Sequence, residues 1–185
     1  MQVKTPRHPT PGKPSLTLVL GGARSGKSRH AEALVMAHPP PWIYVATAAA
    51  HDDEMADRIA AHRARRHEGW RTLEAPLDLA GALDRAAAAP VLVDCLTLWL
   101  SNLLLGEHDI EAAIRGLDMA LERRGGPRVL VSNEVGLGIV PENTLARRFR
   151  DAAGSLHQRL AARADHVVLV TAGLPLVLKS AGADV

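Results

Sequence analysis

The sequence contains little that would suit an exported, membrane-bound or nucleic-acid-binding protein. Its single cysteine, Cys95, excludes an internal disulfide and fits a reducing compartment, so we expect a cytoplasmic protein. The formal net charge is only +2, from 22 basic and 20 acidic residues, and therefore predicts neither a nucleic acid nor a membrane surface as partner. Aromatic residues make up 3% of the chain, so the core must consist mainly of aliphatic side chains.

Long hydrophobic runs are also missing. The apolar run 16–20 is short and leads into a glycine-rich loop, unlike the hydrophobic region of a signal peptide. The most apolar region, 91–105, is interrupted by Asp94, Ser101 and Asn102 and falls short of the roughly 20 apolar residues of a membrane helix. We therefore expect no stable membrane insertion.

The chain of 185 residues is long enough for one domain with a sizeable core. Residues 1–15 hold four prolines and no hydrophobic period, which predicts a disordered extension before a single domain over residues 16–185. The alternating patterns after it predict strands at 16–20, 42–45, 91–93, 128–131 and 166–170, and helices at 28–37, 52–66, 79–88, 109–124 and 143–164. This alternation is typical of an α/β three-layer sandwich with a mostly parallel central sheet and helices on both faces.

The first of these strands leads into the sequence GGARSGKS. Its residues Gly21, Gly26, Lys27 and Ser28 satisfy the pattern G-x-x-x-x-G-K-[ST], and a helical pattern follows, as a phosphate-binding loop (P-loop) requires. The glycines let backbone N–H groups turn toward phosphate oxygens. Lys27 is placed to reach the β- and γ-phosphates, and Ser28 is placed to ligate Mg²⁺. The sequence therefore predicts a P-loop NTPase-like fold with a nucleotide site, to which Arg24 and Ser25 add supporting contacts.

Asp94 ends the apolar run 91–93 and has two interpretations. A P-loop enzyme needs an acidic residue at the end of a neighbouring strand to hold Mg²⁺ or its water shell, and Asp94 occupies such a position. A helical pattern begins at Thr97, so Asp94 also suits the N-cap of a helix. The two roles are compatible.

An imidazole lies within an arginine-rich helical pattern over residues 52–66. Counting in steps of four from Arg58 reaches His62 and then Arg66, so the histidine lies between two guanidinium groups on one stripe of the predicted helix. Their charge keeps the imidazole neutral and can bind a triphosphate, which suits a histidine nucleophile. A basic face in contact with solvent remains the alternative for the arginines.

Four sequence runs together resemble the adenosylcobinamide kinase/adenosylcobinamide-phosphate guanylyltransferase family. They are GGARSGKSRHAEAL at 21–34, DDEM…RI..HR..R…W.T.E over 52–74, NEVGLGIVPEN at 133–143 and ARRFRD…G…Q.LA..AD.V.LV.AGLPL.LK ending at Lys179. The P-loop is shared with many kinases and ATPases, whereas the second and third runs are far more specific. His67 stands where the family's R-P-x-x-W pattern has proline, and the extension before Leu16 is additional.

The resemblance implies two reactions and a set of contact residues. The family phosphorylates the aminopropanol hydroxyl of adenosylcobinamide with ATP or GTP, and then transfers GMP from GTP through a guanylylated histidine, whose position His62 matches. It also implies a homo-oligomer such as a trimer, Mg²⁺, and the corrinoid as partner. The implied nucleotide contacts are Gly21, Gly22, Ala23, Arg24, Ser25, Gly26, Lys27, Ser28, Ala46, Thr47, Ala48, Arg63, Ala64, Arg65, Arg66, Glu74 and Asp94.

The run NEVGLGIVPEN follows the fourth predicted strand, and its two glycines and Pro141 indicate a loop at the carboxyl edge of the sheet. Asn133 and Glu134 leave the strand where polar groups would face the cleft, so we expect a loop that faces substrate or a neighbouring subunit. A plain turn before the last helix is the alternative.

Two other functions fit a P-loop without the family resemblance. One is a small-molecule kinase in which His62 is only a solvated helix residue. The other is a nucleotide-dependent switch or ATPase, which would need mobile segments that sense the γ-phosphate. A covalent GMP adduct separates the first from the bifunctional enzyme, and turnover of a corrinoid acceptor excludes the second.

Overall fold

The structure, a computed structural model, describes residues 15–48, 68–123 and 125–181. Strands and helices alternate along most of these ranges. In chain order they are β1 (Leu16–Gly21), α1 (Lys27–Met36), β2 (Trp42–Ala46), β3 (Trp70–Glu74), α2 (Leu79–Arg85), β4 (Val91–Asp94), α3 (Leu96–Leu105), α4 (Ile110–Arg123), β5 (Arg128–Asn133), α5 (Thr144–Arg163), β6 (His166–Thr171) and β7 (Leu174–Lys179). No helix within the described ranges is both long and apolar enough to cross a membrane.

The strands form one seven-stranded sheet in the order β3-β2-β4-β5-β1-β6-β7. Strands β1 to β6 pair in parallel, and β7 pairs antiparallel with β6 at the edge. β1 lies between β5 and β6, with Gly21 opposite Asn133 on one side and Val170 on the other. The carboxyl ends of the six parallel strands therefore meet at one edge of the sheet, and the P-loop leaves β1 at that edge.

Alternate residues of the buried strands pack into two separate cores. Leu18, Val93 and Leu130 face a core that also receives side chains from α2, α3, α4 and α5. Val19, Leu92 and Val131 face the second core, which includes Ala31 and Val35 of α1. Helices thus cover both faces of the sheet, and the predicted three-layer α/β architecture is confirmed.

The structure confirms the five strands predicted from apolar runs and adds two at the sheet edges, β3 and β7. The predicted C-terminal end of the helix at 79–88 is wrong. α2 ends at Arg85, and Ala87 has a φ of 49°, because the chain must turn there before it enters β4. Residues 1–14 of the predicted N-terminal extension and the whole predicted helix over 52–66 lie outside the described residues.

The packing of α4 against the first core can be tested with two alanine substitutions in one helix. Leu117 is fully buried, whereas Met119 is 52% exposed. We expect Leu117→Ala to lower the free energy of unfolding by about 2–5 kcal/mol because it leaves a cavity. Met119→Ala should change it by less than about 0.5 kcal/mol. Chemical denaturation of both variants measures the difference, and similar losses would show that α4 packs by another face.

Candidate active site: a P-loop at the carboxyl edge of the sheet

The P-loop runs from Gly21 at the end of β1 to Lys27 at the start of α1 and leaves no room for a side chain at its first position. A Cβ on Gly21 would lie 2.5 Å from Ser25 Oγ and 2.6 Å from the Val170 carbonyl oxygen. At the other end, Gly26 has a φ of 94°, which L side chains rarely adopt. The two glycines of the motif are therefore required by the backbone path.

The polar side chains of the loop are arranged around its interior. Lys27 is buried, and its Nζ donates a hydrogen bond to the Gly22 carbonyl oxygen at 3.0 Å. Ser25 is also buried, and its Oγ has no hydrogen-bond partner among the described residues. A buried hydroxyl without a partner costs stability, and phosphate oxygens are acceptors that would satisfy it. Ser28 lies half-buried in the first turn of α1, while Gly22, Ala23 and Arg24 are exposed.

The turn between β6 and β7 supports the loop from one side. The N–H of Gly173 donates to the Ser25 carbonyl oxygen at 2.8 Å, and the Gly173 Cα would lie 3.3 Å from a Cβ on Gly26. On the other side, the N–H of Glu134 donates to the Gly21 carbonyl oxygen at 3.0 Å. The loop is thus held at both ends by the neighbours of β1.

Asp94 ends β4, and its carboxylate lies half-buried at the same edge of the sheet. The Tyr44 hydroxyl donates to its Oδ2 at 3.1 Å. The following helix has Cys95 as its N-cap, with no side-chain cap bond. Asp94 therefore does not cap α3, and the interpretation as a helix cap is wrong. A carboxylate and a serine hydroxyl are the kind of ligand that Mg²⁺ uses beside nucleotide phosphates, and here they lie at the end of β4 and in the first turn of α1.

Comparisons with known proteins identify the family of this site. The family model described as CobU, cobinamide kinase / cobinamide phosphate guanyltransferase, matches residues 17–178. The chain belongs to this family. The bifunctional adenosylcobalamin biosynthesis protein CobP of Pseudomonas aeruginosa is 52% identical over 88% of this chain and 96% of its own. The bifunctional adenosylcobalamin biosynthesis protein CobU of Salmonella typhimurium is 46% identical over 89% of this chain and 99% of its own.

The family match confirms the resemblance drawn from the motifs and makes the chain an enzyme of the kinase and guanylyltransferase type. The alternatives of a kinase without transferase activity and of a nucleotide-dependent switch are not favoured. Among solved structures, the flagellar accessory protein FlaH of Methanocaldococcus jannaschii is 12% identical and aligns with a TM-score of 0.49 over 91% of this chain and 80% of FlaH.

Thr47, one of the contacts implied by the family resemblance, uses its side chain within the protein. Its Oγ1 donates to the Cys95 carbonyl oxygen at 2.7 Å and accepts from the Cys95 N–H at 2.8 Å. Its carbonyl oxygen accepts from Asn102 Nδ2 at 2.8 Å. Thr47 therefore joins the end of β2 to the start of α3. Burial, and then the charge of Asp94, raise the pKa of the Cys95 thiol, so it stays protonated.

The other implied contacts fall in different places. Ala46 is buried in β2 and Ala48 is half-buried just after it. Glu74 is exposed at the end of β3, opposite Ala46, at the far side of the sheet from the P-loop. His62, Arg63, Ala64, Arg65 and Arg66 lie outside the described residues. The structure thus brings the P-loop and Asp94 to one edge, and the histidine segment stays a prediction.

A buried polar cluster beside the P-loop was not predicted from the sequence. His157 Nε2 lies 2.7 Å from Ser132 Oγ, and His157 Nδ1 lies 3.9 Å from Glu134 Oε2. Burial lowers the pKa of His157, although the charge of Glu134 opposes the shift. The spacing of Ala153, Leu156, His157 and Leu160 could have indicated that the histidine is buried, because it puts His157 on the buried stripe of α5, but it does not identify the partners of His157.

The close packing at Gly21 gives a prediction with a matched control. Gly21→Ala should lower the free energy of unfolding by about 1–3 kcal/mol, since the Val170 carbonyl belongs to β6 and cannot move aside. Gly22→Ala should change it by less than about 0.5 kcal/mol, because no heavy atom lies within 4 Å of the added Cβ. Thermal and denaturant unfolding without nucleotide measure both. Equal stabilities would contradict the described path of the loop.

Proposed function

We propose that this chain carries out two successive reactions on one corrinoid acceptor. In the first, the aminopropanol hydroxyl of adenosylcobinamide receives the γ-phosphoryl group of ATP or GTP. In the second, GMP from GTP is joined to that phosphate to give adenosylcobinamide-GDP. The observation that carries the proposal is the P-loop geometry, with Lys27 and Ser25 buried inside the loop, in a chain that matches the family over residues 17–178.

In the kinase reaction, the loop 21–28 binds the phosphates through backbone N–H groups and the N-terminus of α1. Lys27 exchanges its bond to the Gly22 carbonyl oxygen for the β- and γ-phosphates and stabilises the charge that develops during transfer. Ser28 and Asp94 would hold Mg²⁺, which neutralises phosphate charge when bound. Their hydroxyl and carboxylate are hard oxygen ligands, and both lie half-buried at the sheet edge.

In the transferase reaction, His62 is the nucleophile. One imidazole nitrogen forms a bond to the α-phosphorus of GTP, and the bond to the pyrophosphate oxygen breaks. A phosphate oxygen of the phosphorylated corrinoid then attacks the same phosphorus and releases the imidazole. Arg63, Arg65 and Arg66 suit the charge of the departing pyrophosphate.

We propose a cytoplasmic homo-oligomer such as a trimer. Strand β7 supports an assembly because it is an edge strand whose Leu174, Leu176 and Leu178 are 73%, 58% and 54% exposed. Exposed apolar edge strands are surfaces that proteins normally cover.

Lys27→Ala should lower the rate of nucleotide-dependent phosphorylation of cobinamide by about 10²-fold or more at saturating nucleotide, because a positive charge at the γ-phosphate is lost. The reaction can be followed by chromatography of the corrinoid products. Circular dichroism should show that the fold is retained. A rate near that of the parent protein would contradict the role of the P-loop in catalysis.

His62→Ala should abolish the covalent GMP adduct while leaving cobinamide phosphorylation within about threefold of the parent, since γ-phosphoryl transfer needs no protein nucleophile. Mass spectrometry after incubation with GTP and Mg²⁺ measures the adduct. The P–N bond of a phosphoramidate should survive alkali and be lost in mild acid. His67→Ala is the control and should keep the adduct. An adduct that maps to His51, His67 or Lys27 would refute the assignment of His62.

A further inference from the structure

Several described carboxylates follow parallel strands of the sheet. Among them, Glu134 follows the strand nearest to β1 and its P-loop. It follows β5, the direct neighbour of β1, and its N–H donates to the Gly21 carbonyl oxygen at 3.0 Å. Asp94 ends β4, one strand further from β1, and Glu74 ends β3, the outermost strand on that side of the sheet. Since neighbouring strands are ~4.8 Å apart, only Glu134 leaves its strand directly beside the loop.

One oxygen of the Glu134 carboxylate is held by a hydrogen bond, and the other faces a buried imidazole. Oε1 accepts from the Gly136 N–H at 2.6 Å, and Oε2 faces His157 Nδ1 at 3.9 Å. His157 is buried and is itself fixed by Ser132 Oγ, 2.7 Å from its Nε2. A Ser132 hydroxyl that donates to Nε2 leaves the hydrogen of the imidazole on Nδ1, directed toward Glu134.

The same arrangement leaves the carboxylate partly exposed beside an imidazole that carries no charge near pH 7. Burial lowers the pKa of His157, so its imidazole is neutral near pH 7 and does not neutralise Glu134. The side chain of Glu134 is 23% exposed, and the following loop exposes Leu137 at 85% and Ile139 at 98%. The loop therefore presents apolar side chains to solvent next to a partly exposed carboxylate.

We propose that Glu134 is the general base of the kinase reaction, positioned by His157 and Ser132. The inference rests on the proposed function. The acceptor hydroxyl oxygen forms a bond to the γ-phosphorus while the bond from that phosphorus to the β,γ-bridging oxygen breaks. The hydroxyl proton passes to Glu134 Oε2, and the nucleoside diphosphate leaves with the electron pair. The later transfer of GMP involves a phosphate oxygen that carries no such proton, so it does not need this base.

Glu134→Gln tests the assignment, because its amide oxygen can keep the bond from Gly136 while it can no longer take a proton. We expect the kcat of ATP-dependent cobinamide phosphorylation to fall by about 10²–10⁴-fold, with the KM for ATP within about threefold of the parent. Formation of the GMP adduct from GTP should stay within about threefold, since that step involves no acceptor hydroxyl. Glu142→Gln, an exposed residue of the same loop, is the matched control and should match the parent in both assays.

Glu134→Asp and His157→Gln provide independent measurements. Aspartate restores a carboxylate, so its kcat should exceed that of the glutamine variant by about tenfold or more. His157→Gln should lower kcat for phosphorylation without raising the KM for ATP, and it should leave the GMP adduct intact.

Three results would overturn the role of Glu134: a kinase kcat of Glu134→Gln within about threefold of the parent, no rescue by aspartate, or a GMP adduct lost in parallel with kinase activity. The last would show that Glu134 only supports the nucleotide site. If the parent protein itself does not phosphorylate cobinamide, the proposed function fails. If the parent and the Glu134→Gln variant phosphorylate cobinamide equally fast, the proposed function stands. Only the role of Glu134 as general base is then refuted.

Discussion

The position of β1 between β5 and β6 is the constraint on which the site depends. Parallel pairing on both sides aligns Gly21 with Asn133 and with Val170, so the loop after Gly21 must rise between two other strand ends. The space there is so limited that a Cβ on Gly21 would collide with the Val170 carbonyl oxygen. Packing within the sheet therefore requires glycine at position 21, as does the phosphate that the loop is suited to bind.

The same pairing places the two carboxylates that we propose for the kinase reaction at the ends of different strands. Asp94 ends β4, the second neighbour of β1, and its hydroxyl donor is Tyr44 of the next strand. Glu134 ends β5, the first neighbour, and its surroundings come from α5 through His157. Two carboxylates at one edge thus have different partners and different distances from the loop, which allows one to serve as a metal ligand and the other as a proton acceptor.

The sequence predicted the buried strands and the P-loop well, because continuous aliphatic runs and the glycine-rich motif depend on local pattern alone, but the buried helix α3 was not among the predicted helices. It missed β3 and β7, since both are edge strands without a fully buried run, and β7 contains Pro175, which only an edge tolerates. Alanine propensity favoured a longer α2, but the turn at Ala87 overrides it. The contact between Ser132 and His157 joins residues 25 positions apart, and no local pattern specifies it.

The bond from Lys27 Nζ to the Gly22 carbonyl oxygen has a consequence for the arrival of the nucleotide. The lysine is already folded inward, so binding replaces one neutral acceptor with charged phosphate oxygens and does not have to order a free side chain. Charge-assisted hydrogen bonds are the stronger ones, and little conformational entropy is lost in making them. Preorganisation of this kind lets more of the attraction between lysine and phosphate appear as affinity.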